Sequence, residues 1–207
     1  MALNAKDRQM RQRIALEAAR IMEESGVRDY QVAKRKAAER LGAPDTRNLP
    51  SNQEIEDAFM ERQRLFHGDT QPARVQHLRT EALKAMEFFA SFEPRLVGPV
   101  LQGTASDHSD VQLHLFAGTP EEVVIYLMDQ NIPFEQGERR MRFGRDRYET
   151  FPVYRFVAGA TVLDLTVFPV DGSRQAPCSP VDGRPMRRAS VTQVQGLLDA
   201  AETPIAP

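Results

Sequence analysis

The 207-residue chain has one cysteine, Cys178, and no tryptophan. A single thiol excludes an intrachain disulfide framework and any zinc site built from several cysteines. Without tryptophan, and with aromatics at only 7%, a stacking platform for single-stranded nucleic acid is not expected. No apolar run approaches the ~20 residues of a bilayer-spanning helix, so no membrane partner is expected. An excess of one charge is missing too. The 27 basic and 29 acidic residues leave a formal net charge of -2, which excludes a wholesale coat for a polyanion but not a local basic patch. The start, Met1 to Arg13, is too polar for a secretory signal, so a reducing cytoplasm is the expected location.

What the chain does have is a change of hydrophobic period near its midpoint. In the first half, apolar residues recur at helical spacing. Ile14, Ala18 and Ile21 form the stripe of one helix, and Tyr30, Ala33, Ala37 and Leu41 that of a second, with Gly26 and Gly42 as their stops. After a polar, proline-containing loop, Ser51 and Glu54 have capping-box spacing. They open a third helix with Ile55, Phe59 and Phe66 expected inward. A fourth is expected from about Ala73 to Phe92 on the stripe Val75, Leu78, Ala82, Met86 and Phe89.

From Arg95 the period shortens. Val111, Leu113 and Leu115 alternate with Asp110, Gln112 and His114, which is strand spacing. Thr119, Pro120 and Glu122 have the pattern of a helix start. Residues 132–143, 150–157 and 161–170 are expected to be strands, and 191–201 a closing helix. The fold class is therefore α+β, an N-terminal helical region followed by a small mixed β-sheet with flanking helices. The expected division is residues 1–93 and 94–207, with a core at 95–170.

Two acids in this second half stand out. Asp110, Gln112 and His114 project to one side of their strand, Val111, Leu113 and Leu115 to the other. Asp164 lies in the middle of the apolar strand Val162-Leu163-Asp164-Leu165-Thr166-Val167-Phe168. A carboxylate there is costly unless it is paired or binds a cation. Two such acids on one sheet are suited to magnesium, which takes carboxylates, waters and substrate phosphates. Arg155, mid-strand between Tyr154 and Phe156, also calls for a partner, either Asp164 or a ligand phosphate.

The stretch Gly103-Thr104-Ala105-Ser106-Asp107-His108-Ser109-Asp110-Val111-Gln112-Leu113 resembles the nucleotidyltransferase fold superfamily. In that family a Gly-Ser or Gly-Thr step and a short turn precede Asp-x-Asp or Asp-x-Glu on the next strand. A third acid follows on a later strand, to which Leu163-Asp164-Leu165 is similar. The resemblance covers roughly residues 95–170. It implies transfer of a nucleoside monophosphate from a nucleoside triphosphate to an acceptor hydroxyl. It further implies magnesium or manganese on Asp110, Gln112 and Asp164, with Asp110 and Asp164 catalytic. Gly103, Thr104, Ser109 and Arg155 would contact the nucleotide. The acceptor, whether nucleic acid, protein or small molecule, is not named by any residue.

Gln112 departs from the pattern, because a neutral amide stands where the family has its second acid. That lowers the charge of a two-metal clamp by one and motivates a second reading, a nucleotide- or nucleic-acid-binding protein on the same fold that has lost its chemistry. A third is a helix-turn-helix DNA-binding regulator, suggested by Lys34, Arg35, Lys36 and Arg40 on the second helix. Arginines gather in two further places, at 139–147 around Gly144 and at 184–188. Their planar forks suit phosphate oxygens.

Overall fold

The computed structural model describes residues 5–44, 46–68 and 70–202. It divides into two compact units. The first takes in the chain up to Gln71 with the short segments Ser106–His108 and Pro180–Gly183. The second holds Pro72–Ala105, Ser109–Ser179 and the chain from Arg184 onward.

The first unit is built from α1 (Ala5–Ser25), α2 (Tyr30–Arg40) and α3 (Asn52–His67). Its core is rich in alanine: Ala15, Ala18, Ala19, Ala33, Ala37 and Ala38 pack with Ile14, Ile21 and Ile55. Small side chains let the helix axes come close, so that packing rather than bulk holds this unit together. Gly26, just past α1, takes φ +62, the left-handed conformation of a helix stop. The Asp29 carboxylate caps α2, accepting from the Gln31 and Val32 amides at 2.7 and 3.0 Å. Ser51 and Glu54 form the expected capping box on α3. Phe66 departs from the expected inward stripe and is 67% exposed. The buried cluster's last members on α3 are Ala58 and the partly buried Phe59. One turn further on, the Arg62 guanidinium covers the Phe66 ring instead.

The second unit contains α4 (Gln71–Phe88), β1 (Arg95–Val97), α5 (Gly98–Gln102), β2 (Val111–Ala117), α6 (Pro120–Asp129), β3 (Glu135–Phe143), β4 (Arg147–Ala158), β5 (Thr161–Pro169) and α7 (Val191–Glu202). The α+β class is as expected, with one mixed sheet in the order β1-β2-β5-β4-β3. Only the β2–β5 pair is parallel; the other three are antiparallel. Unit membership differs from the expected division at 93/94. Val75, Leu78, Ala82 and Met86 of α4 belong to the sheet's core cluster, so the division falls between Gln71 and Pro72. The α4 stripe is apolar enough to serve either half. Sequence periodicity gives a helix its face but not the surface that face covers.

Alternation sorts the sheet into two unlike faces. Val111, Leu113 and Leu115 of β2, Leu163, Leu165 and Val167 of β5, and Tyr154 and Phe156 of β4 join α4 and α6 in the core. The other face carries Gln112, His114 and Phe116 of β2, Asp164, Thr166 and Phe168 of β5, and Phe151, Val153 and Arg155 of β4. A smaller aromatic cluster of Phe116, Phe143, Phe151 and Phe168 closes one end of that face. The polar residues occupy the rest.

Candidate functional site

Strand register assembles the polar face. Gln112 lies opposite Asp164 across the β2–β5 ladder, and Asp164 opposite Arg155 across β5–β4. His114 and Thr166 form the next row. Asp110 stands immediately before β2, with the half-buried Ser109 preceding it. The acids expected from the sequence do share this face, and both are almost fully buried.

Each is held by an arginine. Arg155 Nη2 donates to Asp110 Oδ2 at 2.9 Å, so its partner is not Asp164, its neighbour in register. Asp164 is taken by Arg139 of β3. Nη1 and Nη2 of Arg139 each bond one carboxylate oxygen at 2.8 Å, and Nη1 also reaches Thr166 Oγ1 at 2.9 Å. Such a two-pronged pair is the strong geometry for guanidinium and carboxylate. The carboxylate side chains are 4% exposed, whereas Arg139 and Arg155 are 35% and 44% exposed. The negative ends are thus buried and the positive ends face outward.

A third arginine enters from the segment after the proline-rich loop. Arg188 Nε donates to His114 Nδ1 at 3.0 Å, and its Nη1 donates to the Gly172 carbonyl at 2.8 Å. Its guanidinium also lies 4.9 Å from the Phe168 ring centre and 5.1 Å from that of Phe116. Arg188 Nη2 is buried with no hydrogen-bond partner. Burial and the nearby Arg95 bring the Arg188 pKa down to about 10. Burial, with the charges of Arg188 and Arg139, holds His114 well below the usual imidazole range, so it is neutral. The two buried carboxylates therefore share this face with Arg139, Arg155 and Arg188, and Arg95 of β1 stands opposite His114 in register, so among the described residues guanidiniums outnumber the buried carboxylates.

The Gly-Thr step sits at the end of α5. Gly103 takes φ +82 and is the C-cap of that helix. Its amide and that of Thr104 both donate to the Pro99 carbonyl, at 2.9 and 3.0 Å. Those two N–H groups are spent on the cap and do not form a nest for an anion. The Thr104 hydroxyl is different, being buried with no partner. Arg79 of α4 secures the same turn, donating to the carbonyls of Val100 and Leu101 at 3.2 Å each. Gln112 packs on Gly98, where an added Cβ would meet the amide oxygen at 2.5 Å. The open backbone at Gly98 is what accommodates the glutamine.

The expected metal set is Asp110, Gln112 and Asp164. Two buried carboxylates already bonded to guanidiniums, with a neutral amide between them, do not fit a pair of divalent ions. A dication placed there would meet fixed positive charge at short range. Among the described residues no group of three Asp, Glu, His or Cys side chains is placed to hold a metal. On α2, Lys34 is buried and Arg40 is paired with Glu17 at 3.1 Å. The basic face suggested for a helix-turn-helix reader is therefore reduced to Arg35 and Lys36.

Sequence reasoning singled out Asp110, Asp164 and Arg155, but not the roles of Arg139 and Arg188. In sequence, Arg139 is one of the arginines at 139–147 around Gly144, with nothing to set it apart from the others. Only its odd-numbered register with Phe151, on the same side of β4 as Arg155, puts it on this face. Nothing local marks Arg188 as the partner of His114.

No protein-family model matches this chain, and no curated protein is similar enough to it to count as a relative. The class of the chain is architectural: an α+β unit with a five-stranded mixed sheet, flanked by helices. Among the described residues no helix is long and apolar enough to cross a membrane.

Proposed function

We propose that the second unit binds the phosphates of a nucleotide on a nucleotidyltransferase-like sheet and does not carry out metal-dependent nucleotidyl transfer. The observation that carries this reading is the pairing of both acids with arginine, Asp164 with Arg139 and Asp110 with Arg155. Those pairs use the carboxylates that a two-metal mechanism needs. They leave an excess of guanidinium at the surface of the face, which suits phosphate oxygens.

The arginines have different tasks. Arg139 spends both terminal nitrogens on Asp164 and Thr166 and positions the acid. Arg155 commits only Nη2 to Asp110. A guanidinium has five N–H donors, so Arg155 retains donors for a ligand and is the phosphate-contacting residue. The unpartnered Thr104 hydroxyl would donate to a ligand oxygen, relieving the cost of burying it alone. Fixed positive charge of this kind takes the place of a metal ion in neutralising phosphate.

Calorimetric titration with ATP and ADP, in magnesium and in excess chelator, tests the reading. The expected result is binding that survives chelation, weakens about tenfold in Arg155→Gln, and is accompanied by no pyrophosphate release. Binding that needs magnesium, or pyrophosphate release that Asp110→Ala abolishes, would overturn it in favour of the transferase.

A further inference from the structure

The second unit has a basic surface that is separate from the acid–arginine face. The β3–β4 hairpin carries Arg140 and Arg142 on β3, opposite Thr150 and Tyr148 of β4. These positions have the same parity as Tyr154 and Phe156, so they lie on the side opposite Asp164. Arg145 sits in the turn beside Gly144. Thr150, Tyr148, Arg145 and Arg140 are exposed and Arg142 half-exposed. No ion pair among the described residues engages Arg140, Arg142 or Arg145. The Arg140 guanidinium lies 4.3 Å from the Tyr148 ring centre, which stacks the cation in place.

The second arginine segment is brought alongside. The Cys178 amide donates to the Arg142 carbonyl at 2.7 Å, and Cys178 forms an isolated antiparallel bridge with Pro185. The Cys178 thiol also approaches the Gly144 carbonyl at 3.8 Å. The exposed Arg184 and Arg187 flank that bridge in sequence. Two basic clusters about forty residues apart in the chain thus become neighbours at the open edge of β3. Acidic groups are present too: Glu149 is paired with Arg147 at 3.0 Å, and Glu138 and Asp146 lie on the same hairpin.

We propose that this hairpin and loop form a docking surface for the phosphate backbone of a nucleic-acid duplex, held by charge and not by base reading. Arginines two apart on a strand are separated by about 7 Å, a spacing that lets neighbouring guanidiniums address successive phosphates. The exposed ring of this hairpin, Tyr148, is already stacked under Arg140, so it is not offered to an unpaired base. That favours a duplex over a single strand. The surface does not depend on nucleotide binding at the acid–arginine face.

Fluorescence anisotropy of the full chain with a labelled 20-base-pair DNA duplex tests this across a salt series. Wild type is expected to bind, with log K falling linearly as log salt rises. The triple variant Arg140→Gln/Arg142→Gln/Arg145→Gln should bind at least tenfold more weakly, with the salt slope reduced by about 3. Its melting temperature should be unchanged, and Arg155→Gln should bind the duplex as wild type does. A duplex affinity that the triple variant leaves intact, or no binding at low salt, would overturn the proposal. Equal or tighter binding of a single-stranded 20-mer or of polyglutamate would overturn it as well. ATP binding, measured on the same triple variant, is expected to persist, so failure here is distinguishable from failure of the nucleotide reading.

Discussion

Arg139 grips Asp164 with two hydrogen bonds of 2.8 Å each and extends a third, of 2.9 Å, to Thr166. The arginine comes from the edge strand β3 and the acid from β5, with β4 lying between them in the sheet. The side chain therefore crosses a neighbouring strand to reach its partner. Its aliphatic stem gives the length and its guanidinium the fork.

The pair is asymmetric, and the two single substitutions should differ. Arg139→Leu leaves the Asp164 carboxylate buried without its counter-charge, and should cost about 3 kcal/mol of unfolding free energy. Asp164→Asn leaves an arginine that is 35% exposed and able to turn to water, so it should cost about 1 kcal/mol. Urea denaturation of both variants checks the order. Equal losses would show that the carboxylate, too, is solvated.

Thr104 gives a test with opposite signs for stability and binding. Its hydroxyl is buried without a partner, so Thr104→Val should be neutral or stabilise the ligand-free chain by about 1 kcal/mol. The same substitution should weaken ATP binding, because it removes a donor that the ligand would engage. A thermal melt with and without ATP separates the two effects.

His114 couples stability to pH. Its folded-state pKa is held below the ordinary value, so the unfolded chain binds a proton that the folded chain does not as pH falls below about 6.5. Stability is full above that pH and is lost below it, by up to about 1.4 kcal/mol per pH unit while the folded imidazole stays neutral. His114→Gln should flatten this part of the profile, as measured by urea unfolding between pH 7.5 and 5. An unchanged slope would place the titration elsewhere.

Glu54 acts at lower pH and in the other unit. The Arg11 guanidinium bonds its carboxylate at 2.6 to 3.0 Å. With the Ser51 cap, that contact brings its pKa down to about 2. A depressed carboxylate contributes stability that is present above its unfolded pKa and lost as pH falls through the folded one. Helical signal should therefore decline between about pH 4.5 and 2, and Glu54→Gln should remove part of that decline. Circular dichroism across this range is the measurement.

Much of the fold could be read from spacing alone. The capping boxes at Ser51 and Thr119 lie where the residue pattern puts them, and the Val111 to Leu115 alternation is a strand. Boundaries moved where local signals were weak. β4 starts at Arg147 and not at 150, because cross-strand pairing extends the hairpin through polar residues that have no apolar alternation, whereas β3 starts only at Glu135, where its pairing with Arg155 begins. Residues 96–101 divide into a strand and a short helix at Gly98, whose φ of +71 turns the chain.

The sequence by itself determined the α+β class, the two faces of β2 and β5, and the need for partners at Asp110, Asp164 and Arg155. These follow from periodicity and from the cost of burying charge, both of which are local in the chain. Only the tertiary structure decided which partner each residue has. Arg155 goes to Asp110 and Arg139 to Asp164 because ion pairing is settled by strand order and side-chain reach, neither of which is encoded near the acid itself. The same holds for α4, whose stripe specifies that it packs but not against which unit, and for the two arginine clusters, which adjoin only because Cys178 pairs with Arg142.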